Sequence, residues 1–262
     1  MDSLQTKYQG LLAVIKKTGT AAVAFSGGVD STLLLKAATD VFGAGVIAFH
    51  VRTPLQKPRI ADMVQRISQL LGCPLRIVDL DPFSWPEFVE NSPSRCYFCK
   101  KKIYAHLTSL LPPGCILLDG TNSDDLGEDR PGLAAIRELR VQTPLAEAGF
   151  VKNEIRTVCR ELRLVNWNLP SESCLATRII SGVPITRKLL RDAQAAEDFL
   201  EGQGFAACRA RLDGCSAFIS LSQGDSERLL GKAQRDEVVN FFLKLNYPKV
   251  FLELSERPAI LK

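Results

Sequence analysis

Residues 24–32, "AFSGGVDST", decide the fold of this chain. They overlap an apolar run that begins at Ala21, and the apolar spacing from Val29 to about Phe42 predicts a helix. The two glycines let the backbone approach a ligand closely, and the N–H groups that open a helix point toward an anion. The segment has neither the Gly-Lys-Ser/Thr ending of a Walker loop nor a Gly-x-Gly-x-x-Gly pattern, so it predicts a phosphate site of another kind.

Short apolar runs and helical patterns alternate around this loop. Runs at residues 46–51, 75–80 and 115–118 predict three more strands, and residues 59–71 and 150–162 carry helical spacing. Strands separated by helices of ten or more residues are typical of the α/β class, with a doubly wound parallel sheet covered on both faces. Ligands bind such sheets at the carboxyl ends of the strands, where the phosphate loop stands.

The pattern changes after residue 180. Residues 187–203 and 235–245 read as helices, residues 250–254 as a strand, and Asp213-Gly214 as the turn of a hairpin. We therefore expect two domains, residues 1–180 with the phosphate loop and residues 181–262 as a smaller α+β domain.

Composition narrows the class of protein. The chain has 262 residues, of which 46% are hydrophobic and 24% charged, as in a globular protein. A net charge of +4 is too mild for a general nucleic-acid binder. No secretory signal and no apolar run of about 18 residues is visible, so we expect a cytoplasmic protein without membrane or nucleic-acid partners.

The cysteines and histidines exclude some kinds of site. Eight cysteines in an unsecreted chain are expected as thiols or metal ligands. Only two histidines occur, so a His-rich zinc site or a Ser-His-Asp triad is disfavoured.

The pattern Ser-Gly-Gly-x-Asp-Ser after a strand resembles the PP-loop of the ATP pyrophosphatase family. Members of that family cleave ATP to AMP and pyrophosphate while adenylating a carbonyl or carboxylate oxygen. The resemblance implies that the ATP phosphates are held by Ser26, Gly27, Gly28, Val29, Asp30 and Ser31. Asp30 is also placed to meet a Mg²⁺ ion or to orient the loop.

Three further stretches narrow the choice within that family. Residues 117–132 carry Asp125, Glu128 and Arg130 after the fourth strand, and residues 171–178, "SESCLATR", present Cys174 in a polar loop. In "CRARLDG", residues 208–214, Arg209 and Arg211 share one face of a strand because side chains alternate with period two. Two guanidiniums on one face suit a phosphate.

Together these stretches resemble the LarE family of ATP-dependent sulfur transferases, through nearly the whole chain. The family matures the nickel-pincer nucleotide cofactor of lactate racemase. The resemblance implies adenylation of a carboxylate of pyridinium-3,5-biscarboxylic acid mononucleotide, followed by sulfur insertion to give a thiocarboxylate. It implies that Cys174 handles sulfur and that the substrate is bound by Arg178, Arg209 and Arg211, with Asp125, Glu128 and Arg130 nearby. It also implies a homohexamer.

"RCYFCKKK", residues 95–102, leaves several interpretations open. Cys96 and Cys99 could form a disulfide, bind zinc, pack in a core, or hold a [4Fe–4S] cluster together with Cys174. One branch of the family has only the cysteine matching Cys174, which gives up its own sulfur; this chain departs from that branch. We favour the cluster, whose iron without a protein ligand could bind a sulfide that attacks the adenylate.

The sequence also allows functions other than sulfur transfer to a pyridinium mononucleotide. A tRNA thiolase also combines a PP-loop with a three-cysteine cluster, but the modest charge and the lack of cysteines for an N-terminal zinc ribbon argue against it. A non-catalytic nucleotide-binding iron–sulfur protein would bind ATP without releasing pyrophosphate. An amide ligase would need no cluster.

Overall fold

The computed structural model describes residues 2–127, 131–169, 173–205 and 208–255. The chain forms two compact units, one of Met1–Pro82 and Ser94–Glu172, the other of Phe83–Pro93 and Ser173–Lys262. The expected division into domains at residue 180 stays a prediction.

Helices occur throughout the described residues. In chain order they are α1 Asp2–Lys16, α2 Val29–Phe42, α3 Arg59–Leu70, α4 Pro86–Val89, α5 Arg95–Ser109, α6 Ser123–Leu126, α7 Pro131–Glu138, α8 Pro144–Glu147, α9 Lys152–Glu161, α10 Arg187–Gly202, α11 Gln223–Leu229 and α12 Lys232–Lys244. None of the described helices is long and apolar enough to cross a membrane.

The first unit is built on a parallel sheet of β1 Ala21–Ala24, β2 Ile47–Arg52, β3 Leu75–Asp79 and β4 Ile116–Leu118. The strand order is β3-β2-β1-β4. The four predicted strands and the α/β class are confirmed. The order reverses between β1 and β4, and in doubly wound sheets that reversal opens a crevice for ligands.

Two hydrophobic cores cover the two faces of this sheet. Ala21 and Val23 of β1 pack with residues of α1, α2, α3 and α9. Ala22, between them, packs on the opposite face with residues of α5 and α7. This alternation follows from the pleat of the strand, and it makes the central strand apolar on both sides.

The second unit contains a three-stranded sheet of β5 Arg209–Leu212, β6 Ser216–Ser220 and β7 Lys249–Leu252, in that order. β5 and β6 form the predicted hairpin, and β7 joins parallel to β6. At the turn Gly214 has φ 95°, and the Oδ1 of Asp213 accepts the N–H of Cys215 at 2.8 Å. Residues 83–93 belong to this unit because Asn91 Nδ2 donates to the carbonyls of Ile180 and Val183.

Candidate active site

The phosphate loop lies between the end of β1 and the start of α2, as predicted. Gly27 has φ 81°, a backbone conformation that glycine adopts without strain. The hydroxyls of Ser26 and Ser31 are 3.1 Å apart, and the Gly28 N–H points at Ser26 Oγ at 3.3 Å. The loop therefore gathers hydroxyl and N–H donors at the N-terminus of a 14-residue helix, where an anion is stabilised.

Asn166 stabilises the phosphate loop and the start of α2 through two hydrogen bonds. Its Nδ2 donates to the Gly27 carbonyl and to Thr32 Oγ1, both at 2.8 Å, and the residue is 1% exposed. The Gly27 carbonyl points toward Asn166. The N–H of the same peptide group, which belongs to Gly28, therefore points away from Asn166.

Asp30 forms an ion pair with Lys152, the first residue of α9. One carboxylate oxygen, Oδ2, meets Lys152 Nζ. The other, Oδ1, is buried and has no hydrogen-bond partner in the described part of the chain. This carboxylate stands at the phosphate loop with unused acceptor capacity, and Lys152 supplies a cation beside it.

The loop that follows β4 presses against the start of α2. A Cβ added to Gly120 would lie 3.0 Å from Ser31 N and 3.1 Å from Ser31 Cα. These distances are shorter than ordinary van der Waals contacts, and both atoms belong to backbone. The glycine therefore lets the loop after β4 lie close to the start of α2, beside the phosphate loop.

A cavity of about 510 Å³ opens at this edge of the sheet. Its polar lining comes from the phosphate loop, the strand ends and the first turns of α5, and its apolar lining from β2, α5 and α7. The lining includes Ser26, Asp30, Ser31, Cys96, Lys100 and Asp119. Such a mixed lining suits a ligand with a planar apolar part and a charged part.

Asp119 and Tyr104 form a buried pair on the α5 side of the cavity. The Tyr104 hydroxyl donates to Asp119 Oδ2, and Lys100 Nζ lies 4.0 Å from the same oxygen. Burial and the Asp119 carboxylate hold the pKa of the Tyr104 hydroxyl well above its usual value, so the hydroxyl keeps its proton. Asp119 thus fixes Tyr104 and attracts Lys100 into the cavity wall.

Cys96 and Cys99 lie on the first turns of α5. Cys96 is exposed and lines the cavity, whereas Cys99 is half-buried. Residues three apart on a helix are neighbours on its surface, so the two thiols share one side of α5. No group of three or more His, Cys, Asp or Glu side chains able to hold a metal ion occurs within residues 2–127, 131–169, 173–205 and 208–255.

Cys159 is a residue of the hydrophobic core. It is fully buried, and burial, with the Asp30 carboxylate adding to it, raises the pKa of its thiol to about 12. A thiol with that pKa stays protonated at neutral pH and is not a nucleophile.

Of the predicted acidic residues, Asp125 lines the cavity. Its carboxylate also accepts the N–H of Asn122 at 3.0 Å, as part of a capping box at the start of α6. Glu128 and Arg130 lie outside the described residues.

His50 is the fourth of the six residues of β2 and lines the same cavity. Its Nδ1 lies 2.9 Å from the Phe25 carbonyl, and because a carbonyl only accepts, Nδ1 carries the proton. Burial lowers the pKa of His50, so the ring is neutral near pH 7.

The candidates in the second unit are Cys174, Arg178, Arg209 and Arg211. Cys174 is exposed and precedes a 3₁₀ turn, Leu175–Arg178. Arg178 is 5% exposed and forms an ion pair with Glu197 of α10, with Nε to Oε1 at 2.5 Å. The resemblance implied a phosphate ligand at this position, and the structure places the guanidinium in the interior of the unit.

Arg209 and Arg211 share one face of β5, as their spacing predicted. Both are half-buried, while Ala210 and Leu212 between and beside them are buried. Arg211 Nη1 lies 2.7 Å from Glu253 Oε1. This face of β5 therefore carries two guanidiniums, and that of Arg211 is paired with the carboxylate of Glu253.

The structure thus brings together the phosphate loop, Asp30, Asp125 and Cys96 in the first unit. It adds residues whose place at the phosphate loop or the cavity the sequence did not predict. Lys152, Asn166, Asp119 and Lys100 act on the loop or the cavity from distant segments, and only the fold relates them to the motif.

Relatives of this chain occur among known proteins. A pyridinium-3,5-bisthiocarboxylic acid mononucleotide synthase of Lactiplantibacillus plantarum is 33% identical over 226 residues, which are 85% of this chain and 82% of that protein. An uncharacterized protein of Synechocystis sp. is 32% identical over 254 residues, 96% of this chain and 95% of that protein. An uncharacterized protein of Methanocaldococcus jannaschii is 28% identical over 236 residues, 89% of this chain and 88% of that protein. No protein-family model matches the chain.

Proposed function

Because the chain belongs to the family of the pyridinium-3,5-bisthiocarboxylic acid mononucleotide synthase, known as LarE, we propose that it is an ATP-dependent sulfur transferase of nickel-pincer nucleotide biosynthesis. Its substrate is pyridinium-3,5-biscarboxylic acid mononucleotide, and its product is the thiocarboxylate. The identity of 33% to the synthase, over more residues than either compact unit contains, carries this proposal.

In the first step a substrate carboxylate oxygen attacks the α-phosphorus of ATP and pyrophosphate leaves. The N–H groups of Gly28 and the residues after it, with the hydroxyls of Ser26 and Ser31, stabilise the leaving phosphates. Lys152 lies close enough to add positive charge as that negative charge grows. Asp30 and the ATP phosphates would hold Mg²⁺, which prefers one or two carboxylates plus phosphate oxygens and would neutralise phosphate charge.

In the second step sulfur adds to the carbonyl carbon of the adenylate. AMP leaves with the original carboxylate oxygen, and the carbon keeps the new C–S bond. Arg209 and Arg211 hold the phosphate of the mononucleotide during both steps, since their paired guanidiniums suit a dianion.

Sulfur delivery involves Cys96, Cys99 and Cys174 in this proposal. The side-by-side placement of Cys96 and Cys99 on α5, with Cys96 in the cavity wall, supports two thiolate ligands of a [4Fe–4S] cluster. Cys174 would be the third ligand, as predicted from the sequence. The cluster would supply a bound sulfide as the attacking sulfur and leave all three cysteines intact. The competing source is Cys174 itself, which would lose its sulfur in one turnover.

The reaction is tested with purified protein, ATP, sulfide and the biscarboxylic mononucleotide under anaerobic conditions. We expect AMP and pyrophosphate to form only with the acceptor, in step with a product in which sulfur has replaced oxygen by mass. Asp30→Asn should abolish this activity, whereas Asp62→Asn, on the exposed side of α3, should leave it unchanged. Formation of ADP, or pyrophosphate release that needs tRNA rather than the mononucleotide, would contradict the proposal.

The sulfur source is tested by iron and acid-labile sulfide content. About four irons per chain are expected after anaerobic reconstitution, and Cys96→Ala, Cys99→Ala and Cys174→Ala should each lower that number. Cys215→Ala is the control, because Cys215 is also exposed and is not proposed as a ligand. An iron-free wild type whose Cys174 loses the mass of its sulfur during turnover would instead identify Cys174 as the donor.

A further inference from the structure

A buried ion pair lies directly behind the loop that carries Cys174. The Nε of Arg178 is 2.5 Å from Glu197 Oε1, and its Nη2 is 3.2 Å from Glu197 Oε2. The two side chains are only 6% and 2% exposed. A two-point pair of this kind is rigid and fixes the plane of the guanidinium.

The other end of the same guanidinium holds the hydroxyls on either side of Cys174. Arg178 Nη1 donates to Ser173 Oγ at 2.6 Å and to Thr177 Oγ1 at 2.8 Å. The Thr177 hydroxyl in turn donates to the Cys174 carbonyl at 2.7 Å, and the Thr177 N–H donates to the same carbonyl at 2.9 Å. A continuous chain of hydrogen bonds therefore runs from Glu197 to the backbone of Cys174.

These contacts use four of the five N–H donors of Arg178. A phosphate would have to displace Glu197 or the two hydroxyls to be bound in two-point fashion. Arg211 on β5 differs, because its ion pair with Glu253 is partly exposed, with side chains 39% and 29% exposed.

We infer that Arg178 and Glu197 are positioning residues that fix the backbone of Cys174, and that Arg178 does not bind the substrate phosphate. This inference rests on the proposed function, because it assigns a role to the loop of a cysteine proposed to act in sulfur delivery. It also brings in Glu197, which no sequence motif singles out.

Arg178 and Glu197 should be replaced together in one variant. Replacing one partner leaves an uncompensated buried charge, which is strongly destabilising, whereas replacing both by apolar residues of similar volume is often neutral. The test variant is therefore Arg178→Met with Glu197→Met. It removes the donors to Ser173 and Thr177 and leaves Arg209 and Arg211 in place.

Two measurements distinguish positioning from phosphate binding. In the double variant we expect kcat for sulfur transfer to fall by about tenfold or more, with KM for the mononucleotide within about twofold of wild type. Alkylation of Cys174 by iodoacetamide, measured by peptide mass spectrometry relative to the exposed Cys215, should change by about threefold or more. Arg209→Met should instead raise KM, and Arg235→Met, which removes an exposed ion pair with Asp236 on α12, should change nothing.

An unchanged kcat with a raised KM in the double variant would overturn the inference, because that is the behaviour of a phosphate ligand. If the double variant does not fold, Arg178→Lys serves instead. Lysine keeps the charge but cannot reach Glu197 and both hydroxyls at once, so the same kinetic pattern is expected. Cys174→Ala separates the two hypotheses: if it keeps full activity, the proposed role of Cys174 fails. If it is inactive while the double variant matches wild type, only the present inference fails.

Discussion

Asn166 acts on the phosphate loop across 139 positions of sequence. Asn166→Ala removes both donors and leaves the Gly27 carbonyl and Thr32 hydroxyl buried without them, which costs about 1–3 kcal/mol. We expect urea unfolding to show this decrease in the free energy of unfolding. We also expect steady-state kinetics to show a raised KM for ATP. Asn153→Ala, at an exposed position on α9, should change the unfolding free energy by less than about 0.5 kcal/mol. Equal stability of the two variants would refute this role of Asn166.

Gly120 is a second residue on which the loop depends. Gly120→Ala places a methyl group against the backbone of Ser31, where no flexible side chain can yield. Overpacking of this kind costs about 1–3 kcal/mol and should displace the start of α2, so ATP turnover should fall with stability. Gly45→Ala is the matched control, because nothing lies within 4 Å of its added Cβ. A fully active Gly120→Ala enzyme would show that the close approach is not needed.

His50 makes stability depend on pH. Its pKa in the folded protein lies below the ordinary value of 6.5, because burial disfavours the charged ring. As pH falls below 6.5 the unfolded chain takes up a proton that the folded chain does not, so the folded state loses stability. The unfolding free energy of wild type minus that of His50→Gln should therefore decline from pH 7 to pH 5, as measured by urea titration at each pH. A flat difference would mean that His50 titrates alike in both states.

At the scale of elements, the β5–β6 hairpin determines how Arg209 and Arg211 are presented. Asp213 Oδ1 accepts the N–H of Cys215 at 2.8 Å and that of Ser216 at 2.5 Å, which closes the turn. Asp213→Ala should destabilise the protein by about 1 kcal/mol and raise KM for the mononucleotide, because the strand register is held less firmly. Asp236→Ala, which removes only a surface pair with Arg235, should do neither. An unchanged KM would show that the turn does not control the arginines.

At the scale of the whole molecule, residues 83–93 complete the second unit. Asn91 Nδ2 donates to Ile180 O and Val183 O at 2.8 and 2.7 Å, and Ile185 N donates to Val89 O at 2.9 Å. We expect a fragment of residues 173–262 to lack a cooperative thermal transition by circular dichroism. The same fragment with residues 83–93 joined through a flexible linker should regain it. A linked segment carrying Asn91→Ala is the control, and equal melting of all three would contradict this division.

Prediction from sequence succeeded where the determining residues are contiguous. Six adjacent residues define the phosphate loop, and four apolar runs define the parallel sheet. Helix α5 is not marked by its periodicity, because only Tyr104 and Leu107 along it are buried. Lys152 and the buried environment of Arg178 could not be predicted, since their partners Asp30 and Glu197 are brought to them only by folding.

Residues 83–93 belong to the second unit but lie within the sequence of the first, and this affects the order in which contacts can form during synthesis. Asn91 leaves the ribosome 89 residues before Ile180, whose carbonyl it binds. At a synthesis rate of about 5–20 residues per second, roughly 5–20 s pass before that partner exists. The last described residue of the first unit, Leu169, is synthesised during the same interval. Residues 83–93 can therefore form these hydrogen bonds only after Ile180 and Val183 have been synthesised.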